Sequence, residues 1–499
     1  MDPVFLLDGV AFKSIRTFHD AVFLNSFSIV DYKEEKMKKL IQVLFSIMIM
    51  GTILLAACTP AAVPTAAPAA PAAPAPAAPA ATAVPAAPAA VAPAPATAAP
   101  AAAEVKNVTL EFWTFSDYAT DAGGDVMKKF IAEFEAAHPG VKINMTGKGG
   151  DELNAGIVSS ASSNSIPDVY MGTTSQGALF TKINAMANVY DKWMAMPEAY
   201  RSQFNPDMIK EVTPKANTMY AMPFTGYATF LYRNLKVLKA AGIDPKTPID
   251  TWDTWLAQMK KIKASGNYGM GSFYNDWWDF TNIYSGAATD AEWGIDFANK
   301  KTLINPDKYA QTVTFLEEAK KYGTENGDQD QATTDLFLSN KLAFIATGPW
   351  MDPTFKAAKE KGLDYDYVLI PGATPDNKGG VRGTEFIGFS PNSKNLDLAW
   401  EFATYICDGP QLERWAKALG RFNSNNAAMA KVSDPLLSIT IDAAKSSLFE
   451  RPPHFTEAYP GNYYQALQDN LAQITTGTLT PKTGATELIK QLDATIAGK

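Results

Sequence analysis

Cysteine is almost missing: 499 residues carry two, Cys58 and Cys407. Two thiols so far apart exclude a disulfide scaffold, and no pair has metal-ligand spacing. Histidine is nearly as scarce, with three, and His138 and His454 each adjoin a proline, as surface turn residues do. The chain holds no GxxxxGK[ST] loop, no complete GxGxxG, no GxSxG elbow and no HExxH. Nucleotide, serine-hydrolase and zincin readings therefore lose their motifs, and no catalytic residue, metal or cofactor is assigned. Gly269-Met270-Gly271 is a fragment of a dinucleotide fingerprint that reads as a turn. A basic block is also missing. The formal net charge of −8 sits wholly on residues 104–499, since residues 1–57 balance six basic against six acidic side chains. A mildly acidic surface argues against nucleic acid as the main partner.

What is abundant is unevenly spread. Residues 59–103 comprise 26 Ala, 12 Pro and 7 Thr or Val. Proline every few positions removes amide donors and disfavours helix at each preceding residue, so the stretch reads as an extended linker. Ahead of it, Lys38-Lys39, an apolar run from Leu40 to Leu55 and small residues compose an export signal, with Met37 as the expected start. Leu55-Ala56-Ala57-Cys58 resembles a bacterial lipobox, which implies a lipidated Cys58 as first mature residue. These features predict an extracytoplasmic body tethered to the cell membrane. The remaining 396 residues are ample for two sizeable cores.

That body alternates strands and helices. Val108, Leu110 and Phe112 alternate with polar neighbours as a half-buried strand. Val126, Phe130 and Phe134 line one helix face that His138-Pro139-Gly140 stops, and Val141, Ile143 and Met145 form the next strand. A strand over Ile166–Gly172 completes an α/β pattern whose ligands belong at the carboxyl ends of strands. Further on, Thr229–Tyr232, Leu342–Thr347 and Tyr367–Ile370 read as strands. Asp250 or Thr251 caps a helix bearing Trp252, Leu256, Met259 and Ile262, and late helices run about 396–407, 411–419 and 486–496. Trp252, Trp255, Trp400 and Cys407 fall at core positions.

The positive signal is aromatic. Trp113, Tyr118, Tyr227, Trp277, Trp278 and Trp350 lie near strand ends or turns, with Asp117, Gln176, Asp276, Asp279 and Glu385 close by in sequence. Flat rings beside carboxylates and amides suit carbohydrate: the ring stacks on the apolar face of a sugar while polar groups take its hydroxyls. Core packing is the competing account of each ring. With many carboxylates present, an anchored glycan-acting enzyme also stays open.

Several segments together resemble the family 1 extracellular solute-binding proteins of ABC importers, the group that includes maltose-binding protein. They are Val108–Phe115 with the following helix and turn, Ile166-Pro167-Asp168-Val169, Tyr220–Phe224 leading to Leu231-Tyr232-Arg233-Asn234 and Ala241-Gly242-Ile243, then Pro248 with Thr251-Trp252, Leu338–Trp350, and Ser390–Phe402. Asn340 stands where that family usually has Gly, and Gly420-Arg421-Phe422-Asn423 lacks the usual Pro. The resemblance implies an α/β, two-lobed periplasmic-binding-protein-like fold with crossover hinge strands and a central ligand cleft. Crossovers are expected near Thr225–Tyr227, Pro371–Thr374 and Gly420, giving lobe one as 104–225 plus 372–419 and lobe two as 226–371 plus 420–499. It further implies a monomer without enzymatic turnover that delivers a small-molecule ligand, a sugar or else a glycerophosphate or polyamine, to ABC permease subunits. Arg421 joins the expected ligand-binding residues on the same ground.

Overall fold

The computed structural model describes residues 107–271, 277–325, 331–450 and 459–498. The export signal, Cys58, the linker and Asp276 lie outside them. Strand β1 (Val108–Phe115), helix α1 (Asp121–Ala137) and β2 (Val141–Lys148) form the expected unit, with β1 and β2 parallel in register Val108↔Val141. Met127, Phe130, Ile131 and Phe134 of α1 are buried against the sheet, each such side chain worth about 1.5–3 kcal/mol of apolar transfer. Helix α2 (Gly150–Ser162) follows, then β3 (Val169–Thr173), α3 (Thr174–Lys182) and α4 (Pro206–Val212). The third strand begins at Val169, later than expected, because Asp168 is occupied elsewhere: its carboxylate accepts from the Glu111 amide at 3.0 Å and from the Ser393 hydroxyl at 2.5 Å.

Strand β4 (Ala221–Ala228) is buried along its whole length and leads to β5 (Phe230–Asn234). Next come α5 (Trp252–Ala264), α6 (Trp277–Tyr284), α7 (Pro306–Lys320), β6 (Phe344–Thr347), β7 (Tyr365–Val368) and β8 (Val381–Phe389). The chain ends with α8 (Leu396–Ile406), α9 (Gly409–Leu419), α10 (Pro435–Ser446), β9 (Leu448–Phe449), α11 (Tyr463–Thr475) and α12 (Pro481–Ile496). One six-stranded sheet runs β9-β8-β3-β1-β2 with β4 on the other edge of β8. A second sheet, β6-β5-β7, is antiparallel throughout.

Two large cores result. The first draws on residues from Leu110 to Phe224 and from Phe386 to Ala428, and the second on residues from Leu231 to Ile370 and from Leu448 to Leu492. A smaller cluster, which includes Phe337, Phe355 and Leu436, packs on the second sheet. The chain thus passes between cores near Thr225–Thr229, along β8, and between Ala428 and Leu436. The segments around 371–374 and 420–426 each pack with one core. The turn at 371–374 is held to the second core, since the Trp252 amide donates to Gly372 O at 2.9 Å and Ala373 to Gly286 O at 2.8 Å. Beyond Gly420, Ser424 bonds back to Phe224 and Asn426 to Gln203, which keeps this segment with the first core.

Candidate functional site

The crossover strands carry the charged part of the site. Glu385 lies on β8 opposite Thr173 of β3 and Thr225 of β4, at a register shift between Glu385 and Phe386. Side chains alternate along a strand, so Glu385 and Gly383 share one face. Asp117 and Tyr118 reach that face from the turn after β1, and Arg421 from the residue after Gly420, whose φ of +61 ends α9 in the left-handed conformation. The Arg421 guanidinium is 3% exposed and donates to Asp117 Oδ2 at 2.7 Å, with a second nitrogen 3.6 Å from Glu385 Oε1. It also lies 4.8 Å above the Tyr118 ring. The Tyr118 hydroxyl donates to Glu385 Oε2. Burial, with the Asp117 and Glu450 charges added, holds the Glu385 carboxyl well above the usual carboxylate range. Desolvation draws Arg421 down, opposed by Asp117.

The apolar part adjoins it. Tyr227 sits on β4 across from Gly383, where a Cβ would stand 2.3 Å from the Tyr227 hydroxyl; only glycine admits the ring. That hydroxyl donates to Glu450. The Tyr227 ring meets Trp350 edge-on at 6.0 Å and Trp278 at 6.2 Å, and Trp278 and Trp350 are 6.4 Å apart. Trp350 belongs to the turn after β6 and is half-buried, its ring folded over Gly348. Trp277 continues the surface through Trp278 at 6.0 Å to Tyr464 at 4.7 Å.

Tyr227, Trp278, Trp350, Trp277, Asp117, Glu385 and Arg421 are therefore gathered around the crossover. Tyr118 is there too, but as a support: its ring is fully buried against Trp415 at 4.6 Å, so no face is left for a ligand. Gln176 is committed to the capping box of α3, its Oε1 accepting from the Thr173 amide at 3.1 Å. Trp113 belongs to a different neighbourhood, under the Lys148 ammonium at 4.7 Å and against Gly156 of α2. Asp279 is buried within α6. His138 is more than a turn residue, stacking on Phe134 at 4.0 Å and bonding Glu401 at 2.9 Å. Trp252, Trp255, Trp400 and Cys407 are core residues as expected. Glu450 and Tyr464 escaped sequence reasoning; neither sits in a motif, and the Phe449-Glu450 pair looks like any strand end.

Residues 129–438 match the family model described as bacterial extracellular solute-binding protein. The chain belongs to that family. It is 26% identical over 290 residues to the sn-glycerol-3-phosphate-binding periplasmic protein UgpB of Brucella abortus, spanning 54% of this chain and 65% of that relative. Among solved structures, the GacH receptor of Streptomyces glaucescens, studied unliganded and with acarbose, aligns with a TM-score of 0.67 at 20% identity. That alignment covers 78% of this chain and 98% of the receptor. The maltotriose binding protein of Thermus thermophilus, bound with maltotriose, aligns with a TM-score of 0.64 at 16% identity, over 78% of this chain and 99% of that one. The fold is accordingly the two-lobed α/β fold of periplasmic binding proteins. Among the described residues no helix is long and apolar enough to cross a membrane.

Proposed function

We propose that the protein is an extracytoplasmic receptor that captures a sugar or oligosaccharide in the cleft at the crossover strands and delivers it to an ABC permease. The observation that carries this reading is the grouping of Tyr227, Trp278 and Trp350 beside the Asp117–Arg421–Glu385 cluster. The part-exposed Trp278 and Trp350 rings supply stacking area for a sugar face, backed by the buried Tyr227, and the part-exposed Asp117 carboxylate accepts from hydroxyls. Closure of the two lobes on ligand is the event the permease reads. Binding, without turnover, is the whole activity.

A glycerophosphate, as in the name of the Brucella relative, is the second reading. It calls for a cation with charge to spare, whereas among the described residues Arg421 is already bonded to Asp117 and Glu450 adds a further acid nearby. Sugar is favoured on that balance. Titration calorimetry with neutral mono- to tetrasaccharides and with sn-glycerol 3-phosphate separates the two. Micromolar or tighter binding of a saccharide with no heat from the phosphate supports sugar; the reverse pattern overturns it. Mass spectrometry of the recovered ligand, unchanged, distinguishes a receptor from a glycan-acting enzyme.

The body is held to the membrane through a lipid on Cys58, with the 59–103 segment as tether. Cys58→Ser abolishes membrane association in fractionated cells; unchanged association would refute the anchor.

A further inference from the structure

The crossover strands have a second face. On β8, Arg382 and Thr384 alternate with Gly383 and Glu385, so they point away from the aromatic and acidic groups described above. Behind them is a pocket of about 940 Å³. One wall is α4 with Met208 and Glu211 from the first-core side; the other is α10 and Phe449, with Ile441 and Ala444, from the second; Phe422 and Met429 also line it. The pocket therefore spans the two halves of the molecule across the strands on which they turn.

Its polar interior is unusual. Glu211 Oε2 is buried with no hydrogen-bond partner. Burial raises the Glu211 pKa to about 7, against the Thr384 and Thr174 hydroxyls and the Arg382 charge, which favour the ionised form, while Asp207 opposes it. The other charges facing the pocket are Lys210 on α4 and Lys445 on α10, both exposed. Arg382 is spent on Asp290 at 2.5 Å and Lys445 on Asp442 at 2.8 Å. A buried carboxyl oxygen without a donor is destabilising, and a ligand supplying a charged donor would relieve it. Apolar walls of Met208, Phe422, Met429 and Ile441 complete the requirement.

We propose that this pocket is a second ligand site, for a small amine on an apolar body, with the ammonium against Glu211 and the body among the methionines and Phe422. The site and the cleft lie on opposite faces of the same strands, so a rotation that narrows one widens the other. Occupancy of the pocket is then linked to ligand affinity in the cleft, reciprocally in binding free energy. This linkage rests on the sugar-receptor reading; the site itself does not.

The test uses the methyl resonances of ¹³C-methionine-labelled protein at pH 8, where Glu211 is mostly ionised, titrated with phenethylamine, hexylamine and, as the charge-reversed comparison, 3-phenylpropionate. Saturable shifts of Met208 and Met429 with the amines, weakened at least tenfold by Glu211→Gln and absent with phenylpropionate, are expected. Assignment comes from Met208→Leu and Met429→Leu, which also show that the labelled variants fold. If neither amine gives saturable shifts, if phenylpropionate binds as well, or if Glu211→Gln binds equally, the site is refuted. Saccharide titration with and without saturating phenethylamine then reads the linkage: equal affinities would remove the coupling while leaving the site.

Discussion

Arg421 and Asp117, 304 residues apart in sequence, are joined by a 2.7 Å hydrogen bond whose donor is almost wholly buried and whose acceptor is 38% exposed. The pair fixes the turn after β1 against the segment that follows α9. Among the described residues it also sets the Arg421 charge between Asp117 and the buried Glu385 carboxyl.

Arg421→Met is expected to leave Asp117 and Glu385 facing each other without a counter-charge. Breaking a buried ion pair costs about 3–5 kcal/mol, but Asp117 is partly solvated and Glu385 can hold its proton, so a loss of about 2–3 kcal/mol is expected. Urea denaturation at pH 7 measures it. Stability equal to the parent would mean that the guanidinium is not engaged as described.

The local grammar of this fold was legible, and its long-range chemistry was not. The Val108–Leu110–Phe112 alternation, the α1 stripe and the Thr251 cap of α5 each report burial or hydrogen bonding within a few residues, which spacing encodes directly. Asn340 illustrates the same point: it replaces the Gly usual in the resembling family, and its φ of +57 is a conformation Asn tolerates. The geometry of the candidate site depends instead on pairings such as Tyr118–Glu385 and Tyr227–Glu450, 267 and 223 residues apart. No periodicity announces those. The packing of the 371–374 and 420–426 segments has that origin as well, since Gly372 and Ser424 are tied to their cores by distant backbone bonds.

The pH dependence of stability follows from Glu211. Its carboxyl titrates near 7 in the fold against an ordinary value of 4.5, so the folded state holds a proton that the unfolded chain has lost. Stability from this group falls as pH rises from about 4.5 to about 7 and is level above. Glu385, raised in the same direction, adds to the slope. Glu211→Gln, which keeps the neutral shape, is expected to melt higher than the parent at pH 8 and close to it at pH 4. A parallel shift at both pH values would assign the effect to packing.

Trp350→Ala tests the aromatic surface. Losing a stacking ring costs about 1–3 kcal/mol of binding, which is about thirtyfold in saccharide affinity at the middle of that range. Because the ring also touches Tyr227 and Trp278, the ligand-free melting temperature is expected to fall by a few degrees. Intact affinity with a large drop in that temperature would make Trp350 a packing residue only.

Gly348→Ala asks whether the position of that ring matters apart from its presence. Gly348 has φ −111 and ψ −175, an extended conformation open to alanine, so the substitution carries no backbone penalty of its own. Its Cβ, however, would stand 2.0 Å from the Trp350 ring, and the indole must swing away from Tyr227 and Trp278. Affinity for saccharide is then expected to fall about as far as in Trp350→Ala. In a protein already lacking the ring, the added methyl meets nothing of it, so the two changes should be far from additive. A double-mutant cycle by calorimetry reads this directly. If Gly348→Ala weakens binding as much in the Trp350→Ala background as in the parent, the methyl acts through the backbone or through ligand contact, and the ring's placement over Gly348 is not what sets affinity.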